Sequence, residues 1–76
     1  MNKQRRKALQ EIKEKLESLK EEIETLMDEE QDYYDNMPDS LQSGEKGEKA
    51  EAAIDTLADS MNSIDEAIEN IDTACE

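Results

Sequence analysis

Two apolar ladders constrain this chain more than any other feature. Leu9, Ile12, Leu16, Leu19, Ile23, Leu26, Glu30, Tyr33 and Met37 recur at alternating intervals of three and four residues, and Ala50, Ile54, Leu57, Met61, Ile64, Ile68, Ile71 and Cys75 do the same. Residues so spaced stack on one face of an α-helix, so each stretch predicts an amphipathic helix with a coiled-coil-like seam. In heptad notation the first helix places Leu9, Leu16, Ile23, Glu30 and Met37 at a, and Ile12, Leu19, Leu26 and Tyr33 at d. The second places Ile54, Met61, Ile68 and Cys75 at a, and Ala50, Leu57, Ile64 and Ile71 at d. Beside that seam, Ala53, Ser60, Ala67 and Ala74 form a column of small residues at g, which lets a further helix approach closely.

The ladders are separated by the only proline and the only two glycines. Pro38 disfavours helical geometry at Met37, and Gly44 and Gly47 weaken any helix that would cross the gap. The expected organisation is one domain over residues 1–76, with a helix over about 4–36, a link over 37–45 and a helix over about 46–75. Within the link, Pro38 can open a single helical turn and Ser43 can cap the second helix. So short a link joins antiparallel neighbours, giving an all-α antiparallel two-helix hairpin.

Charge supports that orientation. Residues 1–20 carry seven Lys and Arg against three Glu, whereas residues 21–76 carry two Lys against nineteen acids. Antiparallel pairing lays Lys13, Lys15 and Lys20 beside Asp65, Glu66, Glu69 and Asp72; parallel pairing does not. Exposed pairs are worth about 0–1 kcal/mol each, so they select orientation more than they stabilise. The apolar seams must supply stability, and a chain of 76 residues covers little apolar surface by itself. The hairpin is therefore expected to pair with a second copy into a four-helix bundle.

Catalytic chemistry finds no foothold. The chain has no histidine and one cysteine, which removes an internal disulfide, the zinc spacings and the Glu-x-x-His pairs of di-iron bundles. The stretch from Asp28 to Asp39 offers Asp28, Glu30 and Asp32 at the spacing of a calcium loop but puts Tyr33 where that loop needs glycine. Cys75 falls at a seam position and reads as a small core residue. The expectation is a non-enzyme with no metal and no cofactor. No apolar segment resembles a secretory signal or a membrane span, and the lone thiol suits a reducing compartment, so a cytoplasmic location is expected.

The acidic body repels nucleic acid and anionic membranes and suits a protein partner with a basic surface. The four bases between Asn2 and Lys7 are too few to hold DNA against it. From Glu21 to Asp35 there are eight acids and no base. Along a helix that is one charge per about 2.8 Å, close to the roughly 3.4 Å of a DNA strand, a density suited to mimicking nucleic acid. The plainer alternative is a solvated face. Asp28, Glu29, Asp32 and Asp35 fall at outward positions, and Tyr34 and Met37 lie beside them; these six form the candidate partner-binding set. Glu30, at a seam position, must either stay wet or accept a hydrogen bond from a tyrosine or a base.

The segment from Asp28 to Ile71 resembles small acidic proteins of phages and prophages, in which a Glu/Gln-rich helix leads through a "DNMP-SLQ-SE-GE" link into an "EAI--L" helix. The matching elements here are Asp35, Asn36, Met37, Pro38, Ser40, Leu41 and Gln42, then Ser43, Glu45, Gly47 and Glu48, then the helix from Ala53 to Ile71. The family carries no assigned function. The resemblance implies a phage context, in which small acidic proteins often block host enzymes or defence systems. A phage-derived inhibitor is thus the leading expectation, and a structural or assembly helper whose helices add to a partner's bundle is the alternative.

Overall fold

Asn2 opens the first helix. Its side-chain Oδ1 accepts a hydrogen bond from the Arg5 backbone N–H at 2.8 Å, satisfying one of the donors that a helix start leaves unpaired. A computed structural model describes all 76 residues, Met1–Glu76. The elements are α1 (Lys3–Asp35), α2 (Asp39–Gln42) and α3 (Glu45–Ala74), with no strand. α1 and α3 pack against each other in antiparallel, forming a rod of 58 × 15 × 12 Å.

The link is a folded element. Asn36 closes α1 by donating its backbone N–H to the Asp32 carbonyl at 3.0 Å, and the Met37 N–H bonds the Tyr34 carbonyl at 3.1 Å. Pro38 then sits just ahead of the single turn α2, and its carbonyl accepts from Leu41 and Gln42. The Gln42 side chain reaches back to the Tyr34 carbonyl at 2.9 Å, pinning α2 onto the end of α1. Ser43 does not cap α3: its hydroxyl donates backwards to the Asp39 carbonyl, and Gly44 occupies the cap without a side-chain bond. The link needs its Ser43 hydroxyl to close α2 rather than to open α3.

Gly47 is required by close approach, a role the sequence hides. A Cβ there would lie 1.9 Å from the Gln42 carbonyl oxygen, whereas one at Gly44 would meet nothing nearer than 3.4 Å. Gly47→Ala should therefore destabilise the hairpin by roughly 1–3 kcal/mol through overpacking, despite the gain of about 1 kcal/mol in helix propensity. Gly44→Ala should cost less, up to about 1 kcal/mol, through the poorer cap alone. Paired chemical denaturation curves check this, and equal midpoints for the two variants would mean that α2 does not rest on α3.

The seam differs from the heptad expectation on α1. The a column faces α3 as expected, but its companion is the e column, Lys13, Lys20, Met27 and Tyr34, all at intermediate exposure. The d residues turn outward: Ile12 is 45% exposed, Leu19 51%, Leu26 58% and Tyr33 52%. The cause is visible in the pairing. Lys13 Nζ lies 2.9 Å from Asp72, Lys20 Nζ lies 2.7 Å from Asp65, and the Tyr34 hydroxyl donates to Glu51. In each pair the residue numbers sum to 85, so one uniform register holds the hairpin from end to end. The lysine stems cover apolar surface while their charged ends reach the acids. Lys15, expected among the pairing lysines, makes no ion pair.

Burial is concentrated at the closed end. Only three residues are fully buried: Met37 at 8% exposure, Ala50 at 2%, and Gly47. Every other seam residue stays partly accessible, because a single layer of two helices has no far side.

Candidate functional site

Helix periodicity carries the eight acids from Glu21 to Asp35 along the outer faces of the second half of α1. Seven of them are exposed, and Glu30 is intermediate. None is engaged by a cation, since the ion pairs of the chain use Asp72, Asp65 and Glu45. The one side-chain hydrogen bond to a carboxylate of the run comes from Gln31, whose amide donates to Asp35 at 3.0 Å. Asp32 and Asp35 lie in the last turn of α1, which carries no basic residue. Acids there oppose the helix dipole by about 0.3–1 kcal/mol each. The placement is therefore one that stability alone disfavours.

The six candidate residues divide. Asp28, Glu29, Asp32 and Asp35 are exposed on α1, as their heptad positions require. Tyr34 is half-buried against α3 and committed to Glu51. Met37 is enclosed in the core beneath the link, so it leaves the recognition surface and acts in packing. The apolar groups that do stand free at this end are Tyr33 and, on α2, Leu41 at 45% exposure. Leu41 was missed because a single apolar residue in a link has no periodicity to betray its direction. Glu30 stays partly exposed at the seam with no hydrogen-bond partner of its own, the Tyr34 hydroxyl going to Glu51.

The Tyr34–Glu51 bond, reinforced by partial burial and by the Glu51 and Asp35 charges, holds the phenol above its ordinary pKa. Lys13 and Lys20 are likewise raised, chiefly by their hydrogen bonds to Asp72 and Asp65. A raised folded-state pKa means the folded chain holds the proton more tightly, so this stabilisation is complete below the ordinary values, about 10, and is lost as pH rises through the raised ones. The melting temperature should thus be insensitive to these groups near neutrality and fall in strongly alkaline buffer. Ultraviolet titration of wild type against Tyr34→Phe isolates the Tyr34 phenol; an ionisation midpoint at or below the ordinary tyrosine value would mean that the contact to Glu51 is not made in solution.

No group of three or more potential metal ligands converges, and no helix is long and apolar enough to cross a membrane. Neither a family model, nor a curated protein, nor a solved structure matches the chain.

Proposed function

We propose that the chain is a non-catalytic helical binding protein, acting as a homodimer in the cytoplasm of a bacterial host, that blocks a basic surface on a host protein. The observation that supports it best is the eight-acid run of α1, seven of its acids exposed and none of them in an ion pair within the chain. A face kept only for solubility has no reason to concentrate charge where the helix dipole opposes it. The charge spacing suits a site that ordinarily holds a nucleic-acid backbone, and the resemblance to small phage proteins makes an inhibitor the natural role. Asp28, Glu29, Asp32 and Asp35 supply the charge, and Leu41 supplies an apolar contact at the closed end.

The assembly-helper reading draws on a different observation, the exposed d column of α1, which could join another protein's bundle. The two readings part on salt. Capture through carboxylates weakens steeply as salt rises, whereas capture through an apolar helix face tolerates it. Affinity capture from a bacterial lysate at graded salt tests this: a basic protein released by salt supports the inhibitor, and salt-resistant capture of a helical protein supports the helper.

A further inference from the structure

We propose that the exposed d column of α1 is the contact between two copies of this chain, packed α1 against α1 in antiparallel with Leu19 at the two-fold axis. The proposal rests on the dimer in the reading above and names its surface and orientation. The chain exposes 5721 Å² for a mass of 8.7 kDa. A folded monomer of that mass exposes about 4,700 Å², so the excess is about 1,000 Å². A standard interface removes roughly 800 Å² from each partner. A second copy is the right size to account for it.

The apolar groups lie on one side of the hairpin. Lys13, Lys20 and Tyr34 on one flank of α1 meet Asp72, Asp65 and Glu51 on the matching flank of α3. The opposite flanks, the d column of α1 and the small column Ala53, Ser60, Ala67 and Ala74 of α3, therefore share the other side. Residue numbers across these two columns, Ile12 with Ala74 through Tyr33 with Ala53, keep step at one helix level per heptad. Two such sides closing on each other bring the α1 helices together along their length and the α3 helices over their C-terminal half, with Ala67 on the axis and Ser60 opposite Ala74 of the second copy. Leucine and isoleucine meet between the α1 helices, and the small side chains let the α3 helices approach.

Charge selects the antiparallel arrangement. With Leu19 on the axis, residue i lies opposite residue 38 − i of the second copy. Lys3, Arg5, Arg6 and Lys7, none of which makes an ion pair within the hairpin, then face Asp35, Tyr33, Asp32 and Gln31. Lys15, likewise unpaired, falls beside Glu22 of the second copy, both at g on the rim of the contact. Parallel packing would instead set eight acids against eight. The basic stretch of α1, which the hairpin itself does not use, thus finds its counterpart in the acidic end of another α1.

Lys15→Glu and Glu22→Lys should each weaken the dimer by roughly tenfold, since each turns two attractive contacts into two repulsive ones. An equimolar mixture of the two variants should recover the affinity by forming a heterodimer, read by sedimentation equilibrium. Orientation is read separately by pulsed electron-spin distances, with Cys75 replaced by Ser and single labels at Ser18→Cys or Gln4→Cys, both exposed at c. Antiparallel packing sets the two labels about 3 Å apart along the axis at position 18 and about 45 Å apart at position 4. Rescue in the mixture together with unequal distances establishes the contact. A dimer with equal distances at the two positions, or one indifferent to the charge variants, overturns this contact and leaves the dimer itself standing. A wild-type chain that stays monomeric up to submillimolar concentration overturns both, without bearing on capture by the acidic run.

Discussion

Ala50→Asp is expected to remove most of the hairpin's stability and leave it partly unfolded at room temperature. Ala50 is 2% exposed where α3 passes under the link, so a carboxylate placed there is cut off from water, while Lys46, the basic residue one helical turn before it, is exposed. An uncompensated buried charge costs about 3–5 kcal/mol. Small domains hold a margin of about 5–15 kcal/mol, and a chain with three of its 76 residues buried sits at the low end of it. Ala52→Asp, two residues along on the exposed face of the same helix, is the control and should cost no more than about 0.7 kcal/mol in helix propensity. Circular dichroism at 25 °C distinguishes them. A fully helical Ala50→Asp variant would show that the closed end of the hairpin is not the packed element it forms here.

The largest functional effect is expected from neutralising four acids together: Asp28→Asn, Glu29→Gln, Asp32→Asn and Asp35→Asn. All four are exposed and none is bound to a cation, so helicity should be kept or slightly raised as unfavourable charge leaves the last turn of α1. Capture of the basic partner should weaken by an order of magnitude or more, since rim and surface charges act through many small contributions that add. Asp32 and Asp35 also face the basic stretch of the second copy in the proposed dimer. Binding is therefore compared at chain concentrations where sedimentation shows wild type and variant in the same state. Unchanged affinity under that condition would reduce the acidic run to a solvated face.

The sequence made the helices, the antiparallel turn and the lysine pairings readable, because each depends on spacing or charge that a linear chain displays. The ladders set helix boundaries within about one residue of those observed, 3–35 and 45–74 against 4–36 and 46–75. Lys13 and Lys20 found acids in the far half of α3, as antiparallel packing requires. The rotation of α1 was not readable from apolar spacing alone. A stripe at a and d and a stripe at a and e differ by about 50° about the helix axis, and both contain the same a residues. What decides between them is the e column, where Lys13, Lys20 and Tyr34 each meet a carboxylate on one common register. Matching charges across the two ladders would have exposed that register; counting apolar residues favoured d.

The candidate surface was legible to the same degree. Its four carboxylates followed from heptad position and are where that position puts them. Met37 was ambiguous from the start, being both a seam residue and a neighbour of the acids, and the folded link resolves it in favour of the seam. Tyr34 changed roles for the reason α1 turned: once e faces α3, its hydroxyl lies within reach of Glu51. Gly47 gave no warning, since the clash it avoids is with Gln42, a residue brought over it only by α2.

The central claim is that the exposed carboxylates of α1 bind the cations of another protein. It is tested most directly by measuring the affinity of the captured host protein for the wild-type chain as salt is raised from low to physiological ionic strength and beyond. The account predicts a basic partner whose affinity falls steeply and continuously with salt, and a shallower slope for the four-acid variant. A partner that is not basic, or an affinity equal across the salt series for both chains, would contradict it.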